Sequence, residues 1–169
     1  VIAEGEVMQL INMHDASLDE NAYLQVIRSK TAKLFEASSR LAAVLAGSDT
    51  AQEEACATYG QALGTAFQII DDVLDYDGDS QEMGKNLGDD LREGKATLPL
   101  IAAMQRGSAT QAQMVRHAIE NGSTDQLDAI VTVVRETGAL DVAREAAAAE
   151  AHRAIEAIST LPDSAYRTA

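Results

Sequence analysis

The stretch FQIIDDVLDYDGD, residues 67–79, sets Asp71, Asp72, Asp75, Asp77 and Asp79 at the end of a segment that otherwise suits a helical core. Acids at a helix C-terminus oppose the macrodipole and repel one another, so a solvated helix end is the weaker account of them. A calcium loop matches the alternation of Asp75, Asp77 and Asp79. Its sixth position would then be Ser80 instead of glycine, and its twelfth Asn86 instead of a bidentate glutamate. The chemistry that remains is a Mg²⁺ site for a diphosphate, in which one or two carboxylates leave coordination positions open for water and phosphate oxygens. On a helical wheel Gln68, Asp71, Asp72 and Asp75 share an arc of about 100°. Ala55, Tyr59, Ala62, Ala66, Ile69, Ile70 and Val73 fall on the other side. Gly60 and Gly64 lie on the acidic side, which predicts that another helix or a ligand tail comes close to the backbone there.

A diphosphate also needs cations. Lys85 and Lys95 stand in two Gly-Lys pairs, MGKN and EGKAT, directly after the aspartates. Lys30 falls about 60° from the centre of its helix's apolar stripe, against about 100° for Arg28 and about 120° for Lys33. A lysine at a stripe edge can equally snorkel to water. Taken together, Lys30, Lys85 and the aspartates form a cation-plus-metal clamp for an anionic leaving group.

The elements that must position these residues are helices. The 169 residues fit one domain, 1–169; they are 46% hydrophobic but only 4% aromatic and rich in alanine, which favours closely packed helices. Residues 1–13 form a first helix. Ser17 with Glu20 predicts a capping box opening a second, which runs to about Ala46 with the stripe Leu24, Ile27, Thr31, Leu34, Ser38, Leu41 and Leu45 and ends at Gly47. Thr50 with Glu53 opens a third, to about Tyr76. Residues 78–97 read as an ordered, glycine-rich loop, and Thr97 caps a helix from Leu98 to Arg106 that tolerates Pro99 in its first turn. Gly107, Gly122 and Gly138 punctuate three more, at 109–120, 124–137 and 139–160. No strand pattern appears, so the expected class is all-α.

The net charge of -14 argues against a nucleic-acid partner but not against phosphates bridged by divalent cations. No apolar run is long enough to span a membrane. Cys56 is the single cysteine, which excludes an intrachain disulfide and fits a reducing, cytoplasmic location. The sequence opens on VIAEGEVMQLI, with an apolar pattern already under way, and is expected to be a fragment of something longer. His14, His117 and His152 lack ligand spacing, and the methionines are scattered. Glu4, Glu6 and Gln9 fit an exposed helix face better than a cavity wall. The alanines of 143–151 suit close helix packing, for instance against a partner, and equally simple helix propensity.

FQIIDDVLD followed by GKNLGDDLREGKATLPLI resembles the second aspartate-rich region of trans-isoprenyl diphosphate synthases. GEVMQL at 5–10 and YLQVIRSKTAKLF at 23–35, with its Lys30-Thr31 pair, agree, and the wording is most similar to the bacterial long-chain polyprenyl synthases that make quinone side chains. The resemblance implies a bundle of long helices around a deep cavity with diphosphate and Mg²⁺ at its mouth. It implies condensation of an allylic diphosphate with isopentenyl diphosphate, usually by a homodimer. Asp71 is then a direct metal ligand, with Asp72 and Asp75 acting through water or orienting the site. Lys30 and Lys85 hold the allylic diphosphate, Gln68 and Thr31 line the same mouth, and Lys95 joins them or serves the loop. The family also carries a first aspartate-rich motif with following arginines and an upstream isopentenyl diphosphate site. This sequence has neither, and DDLRE at 89–93 is no substitute. Half of an active site, inactive alone, is therefore expected. The alternatives are a non-catalytic regulatory subunit of a heteromeric synthase and a terpene cyclase. Retained Asp71, Asp72, Lys30 and Lys85 speak against the former, and the Gly-Lys loop against the latter.

Overall fold

The computed structural model describes residues 1–77, 87–164 and 167; Lys85 and the first part of the expected loop lie outside the described residues. The described residues are helical throughout, without strands. The helices are α1 (Ile2–Asn12), α2 (Glu20–Ile27), α3 (Lys33–Leu45), α4 (Thr50–Asp77), α5 (Asp89–Arg92), α6 (Leu98–Arg106), α7 (Ala109–Asn121), α8 (Leu127–Glu136) and α9 (Ala139–Ala157). Among these, none is long and apolar enough to cross a membrane.

Two expected capping boxes give way to neighbouring aspartates. Asp19 caps α2, accepting from the Ala22 N–H at 2.8 Å, while Ser17 donates its N–H and hydroxyl to Asp15. At α4, Asp49 accepts from the Gln52 N–H at 2.9 Å, one residue ahead of the expected Thr50–Glu53 pair. An ionised cap combines a charge-assisted bond with the favourable end of the helix dipole, which a hydroxyl lacks.

Between α2 and α3 the helix continues through a π turn, Arg28–Ala32. An α-helix would carry the buried face of Tyr23 and Ile27 onto Thr31, Leu34, Ser38, Leu41 and Leu45. The π turn inserts a residue, so the buried face steps from Ile27 to Ala32 and resumes at Ala43. Leu34, Leu41 and Leu45, expected inside, are 59%, 56% and 79% exposed.

α4 runs between α3 on one side and α9 on the other. The close approach foreshadowed by Gly60 and Gly64 is a helix and not a ligand tail. A Cβ at Gly64 would lie 2.7 Å from Ala32 Cα, and one at Gly60 would overlap the Phe35 carbonyl oxygen. From the other flank, a Cβ on Gly5 of α1 would lie 2.6 Å from Lys30 N, so the π turn is held between two helices at backbone contact. Arg28 adds a polar tie. Its guanidinium meets Glu150 of α9 at 2.6 Å, and Glu150 also accepts from Arg153, which reaches Gln61 of α4 at 3.0 Å.

The acidic end of α4 is rooted in the core. Ile69, Val73 and Tyr76 pack in one buried cluster with Leu98, Leu100, Val115, Ile119, Ile130 and Val134, each large apolar side chain contributing about 1.5–3 kcal/mol. Ile70, expected on that face, is instead 39% exposed and continues a stripe with Leu63, Phe67 and Leu74. The α9 alanines Ala143, Ala147 and Ala154 are buried, and α9 packs along α4 within the chain.

Alanine improves helix propensity over glycine by about 1 kcal/mol, yet the atom facing Gly60 is backbone and cannot rotate away. Gly60→Ala is therefore expected to lower stability by about 1–2 kcal/mol net in urea unfolding, because overpacking of this kind costs about 1–3 kcal/mol. A gain in stability would show that α3 and α4 can separate without cost.

Candidate active site

A cleft of about 230 Å³ opens where α1, the π turn and α4 meet α5 and the residues after it. α1 contributes Gln9 to its wall, the π turn Lys30 and Thr31, α4 Gln68, Asp71 and Asp72, and the later segment Asp90, Lys95 and Thr97. Residues expected to act together from three separate stretches are thus brought to one place.

Its back wall is a chain of hydrogen bonds. The Thr31 hydroxyl donates to Gln68 Oε1 at 2.9 Å, Gln68 Nε2 donates to Asp72 Oδ1 at 2.9 Å, and the Tyr23 hydroxyl donates to Asp72 Oδ2 at 2.6 Å. Gln68 and Asp72 can pair because they stand one helical turn apart on α4. Asp72 is 3% exposed. Burial, then the Asp90 charge, raise its carboxyl to about 7 in spite of the two donors. The same burial, followed by the charge of Asp72, pushes the Tyr23 hydroxyl well above its usual range, so it remains a donor.

Asp75 faces away from this chain. Its two carboxylate oxygens accept the N–H groups of Asp89 and Asp90, each at 3.2 Å, and its carbonyl accepts from Gly88 at 3.1 Å. It anchors the start of α5. Burial and the Asp90 charge raise it to about 6, with those backbone donors opposing. Lys95 closes the segment, reaching Asp90 Oδ1 at 2.9 Å and Glu93 Oε2 at 2.7 Å. Burial works against its charge, but the pairing with Glu93 and Asp90 prevails and its pKa is raised. Lys95 therefore both braces the loop and borders the cleft.

Lys30 projects from the π turn to Gln9 Oε1 at 3.1 Å and Glu6 Oε2 at 3.3 Å. Glu6 and Glu4 are both exposed, as expected of that helix face, but Glu6 pairs with the cleft lysine and Glu4 with the chain's amino group, while Gln9 lines the cleft itself. Asp77 is held by Arg144 and Arg135, which neutralise the acid at the end of α4 and take it out of the cleft.

The donor set suits a hard divalent cation. Asp71, Asp72 and Asp90 are oxygen donors, the Asp72 and Asp75 carboxyls are raised by burial and crowding, and the Thr97 hydroxyl is buried at the wall without a hydrogen-bond partner among the described residues. Burial, then the Asp75 charge, push the Tyr76 hydroxyl well above its usual range; the nearby Thr97 hydroxyl opposes this only weakly and does not reach hydrogen-bond geometry with it. Among the described residues no three carboxylates converge into a ready-made metal cage. Mg²⁺ rarely uses such cages and completes its shell with water and phosphate oxygens.

Asp90, Tyr23 and Thr97 line the cleft without having been singled out for it, and Gln9 does so against the expectation of an exposed face. Asp90 could have been found as an acid between the two Gly-Lys pairs. Tyr23 carries no local signal, since its partner lies 49 positions away.

The raised carboxyls fix a pH dependence. A solvated aspartate titrates near 3.9, so between about pH 4 and 7 the folded protein binds more protons than the unfolded chain. The stability that Asp72 contributes is complete below the lower value and is lost as pH rises through about 7. In EDTA, Tm is expected to fall from pH 5 to 8, and Asp72→Asn should flatten most of that slope. An unaltered slope in the variant would show that the carboxyl titrates normally.

Comparison with known proteins agrees with this geometry. A model of the polyprenyl synthetase family matches residues 1–136. The chain is 50% identical to octaprenyl diphosphate synthase of Haemophilus influenzae over its whole length, covering 52% of that protein. It is 48% identical to an all-trans-nonaprenyl-diphosphate synthase of Rhodobacter capsulatus, covering 51% of it. A polyprenyl synthase of Caulobacter crescentus, solved with calcium and isoprenyl diphosphate, superposes with a TM-score of 0.92 at 44% identity, over 98% of this chain and 51% of that one. The chain spans about half the length of the relatives it matches. Its fold is the all-α isoprenoid-synthase fold, and it belongs to the polyprenyl synthetase family.

Proposed function

We propose that the chain provides the second-aspartate half of a Mg²⁺-dependent trans-prenyltransferase, which condenses an allylic diphosphate with isopentenyl diphosphate into a long-chain polyprenyl diphosphate for quinone side chains. The observation that carries this reading is the cleft itself, where Lys30 and Thr31 of the π turn meet Gln68, Asp71 and Asp72 of α4. Similarity to octaprenyl and nonaprenyl synthases supports the long-chain product. Calcium and isoprenyl diphosphate in the Caulobacter relative support a divalent cation with a diphosphate.

Asp71 is the direct ligand in this reading, Asp72 orients it or acts through water, and Asp75 serves by fixing the α5 segment. When bound, Mg²⁺ neutralises charge on the departing diphosphate. Lys30 and Lys95 hold the same group electrostatically, preorganised so that little reorganisation is needed as the C–O bond breaks, and the family resemblance assigns Lys85 the same role. Gln9 and Glu6 aim the Lys30 ammonium, and Tyr23 keeps Asp72 in place.

The active form includes a segment with the first aspartate-rich motif, and the chain is inactive without it. Exposed Leu63, Phe67, Ile70 and Leu74 on α4, beside exposed Leu34, Leu41 and Leu45 on α3, support this reading, since an apolar surface of that extent marks a wall that something covers. The family resemblance supports a homodimer and the single cysteine a cytoplasmic location, although one 29% identical relative is a heptaprenyl diphosphate synthase component 2, so a heteromeric assembly is the second form to test. A purely regulatory subunit would have no use for the cation-and-carboxylate cleft.

The test joins the chain to the N-terminal half of the Haemophilus influenzae relative and assays incorporation of labelled isopentenyl diphosphate. The fusion should elongate an allylic diphosphate with Mg²⁺, the chain alone should not, and Asp71→Ala in the fusion should lower turnover by about 10²–10³-fold. Full activity of Asp71→Ala, or an inert fusion that is folded by circular dichroism, would overturn the assignment.

A further inference from the structure

His14 has φ 63°, the only non-glycine residue in the left-handed region among the described residues. An L side chain there costs about 1–2 kcal/mol, so neighbouring contacts must hold it. Its N–H donates to the Gly94 carbonyl at 2.8 Å. Its Nδ1 lies 3.1 Å from the Ile119 carbonyl oxygen, an acceptor only, which requires the ring proton on Nδ1. Two glycines make room for the imidazole. A Cβ at Gly94 would overlap Nδ1, and one at Gly122 would lie 3.2 Å from Cε1 and 2.9 Å from the Arg92 carbonyl oxygen. Although His14 is exposed at its outer side, it joins the end of α1 to the end of α7 and to the residue just before Lys95.

We propose that His14 is a positioning residue of the cleft: it locks Gly94 and thereby holds Lys95 and Asp90 in the wall. The segment from Gly88 to Lys95 is tied at its start by Asp75, whose carboxylate takes the Asp89 and Asp90 N–H groups. His14 is the tie at its other end. With both ends held, the Lys95 N–H reaches the Asp90 carbonyl at 3.0 Å and its ammonium reaches Asp90 Oδ1 at 2.9 Å. Without the His14 ring packed on it, Gly94 keeps the main-chain bond but has more backbone conformations open to it, and the Lys95 ammonium follows its other partner, Glu93, which is 58% exposed. The consequence for diphosphate binding rests on the function proposed above; the anchoring itself does not.

The test uses the present chain with two variants that both accept positive φ. His14→Gly removes the ring, and His14→Asn keeps a polar side chain too short to reach Ile119. Hydrogen exchange without ligand reports the amides of Gly94 and Lys95, which donate to Leu91 and Asp90. Both variants should exchange about tenfold faster at these two amides, with α8 and α9 unchanged. No change at 94 and 95, or a uniform rise across the molecule, overturns the proposal. Calorimetry with Mg²⁺ and inorganic pyrophosphate then reads the cleft, with Asp71→Ala as the blank. His14→Gly should weaken binding about tenfold, and unchanged affinity would overturn the positioning role. If the unaltered chain itself binds no pyrophosphate, the diphosphate reading falls, and exchange alone still decides whether His14 anchors the segment.

Discussion

A carboxylate inside the helix bundle is the constraint on which the site depends. Asp72 is almost without solvent, and an ionised group there is tolerated only if donors replace water on both oxygens. Gln68 supplies one from a turn earlier on α4, and Tyr23 supplies the other from α2. Both donors are neutral, so they ease burial without cancelling the charge. The acid remains a place of high potential, raised further by Asp90, and that surplus is what a cation can relieve.

Bringing Tyr23 and Thr31 to α4 at this separation requires helices at backbone contact. Gly60 provides it against α3, Gly64 against the end of the π turn, and Gly5 against the π turn from the other side. The price in helix propensity, about 1 kcal/mol per glycine, is set against a cleft whose lysine and threonine are fixed by main chain and not by flexible side chains alone. The four described aspartates of this stretch then divide by place: Asp72 takes side-chain donors, Asp75 takes backbone donors, Asp77 takes arginines, and Asp71 borders the cleft.

The helices, their order and most of their ends were legible because alanine content, glycine punctuation and apolar spacing are local signals. The grouping of Lys30, Thr31, Gln68, Asp71 and Asp72 was legible for the same reason, since each stands in a recognisable local pattern. Three features were not. The π turn leaves no mark in a periodicity read at 3.6 residues per turn, so Leu34, Leu41 and Leu45 were placed inside when they face out. The caps shifted because Asp19 and Asp49 compete with the nearby hydroxyls through charge. Asp75 could not be told from its neighbours, because the amides that claim it lie 14 and 15 residues downstream.

The extra residue of the π turn also bears on what lengths this chain can have. The π turn absorbs one residue, so the residues on either side of it keep their faces. Removing one residue between Ile27 and Ala32 would let Ala32 follow as i+4 in a regular α-helix, with Ala32, Phe35 and Ala43 still turned towards α4. Such a deletion would spare the packed face and fall on the turn that carries Lys30 and Thr31 to the cleft. The same deletion inside the regular turns of α3 would instead rotate every later residue of that helix by about 100°.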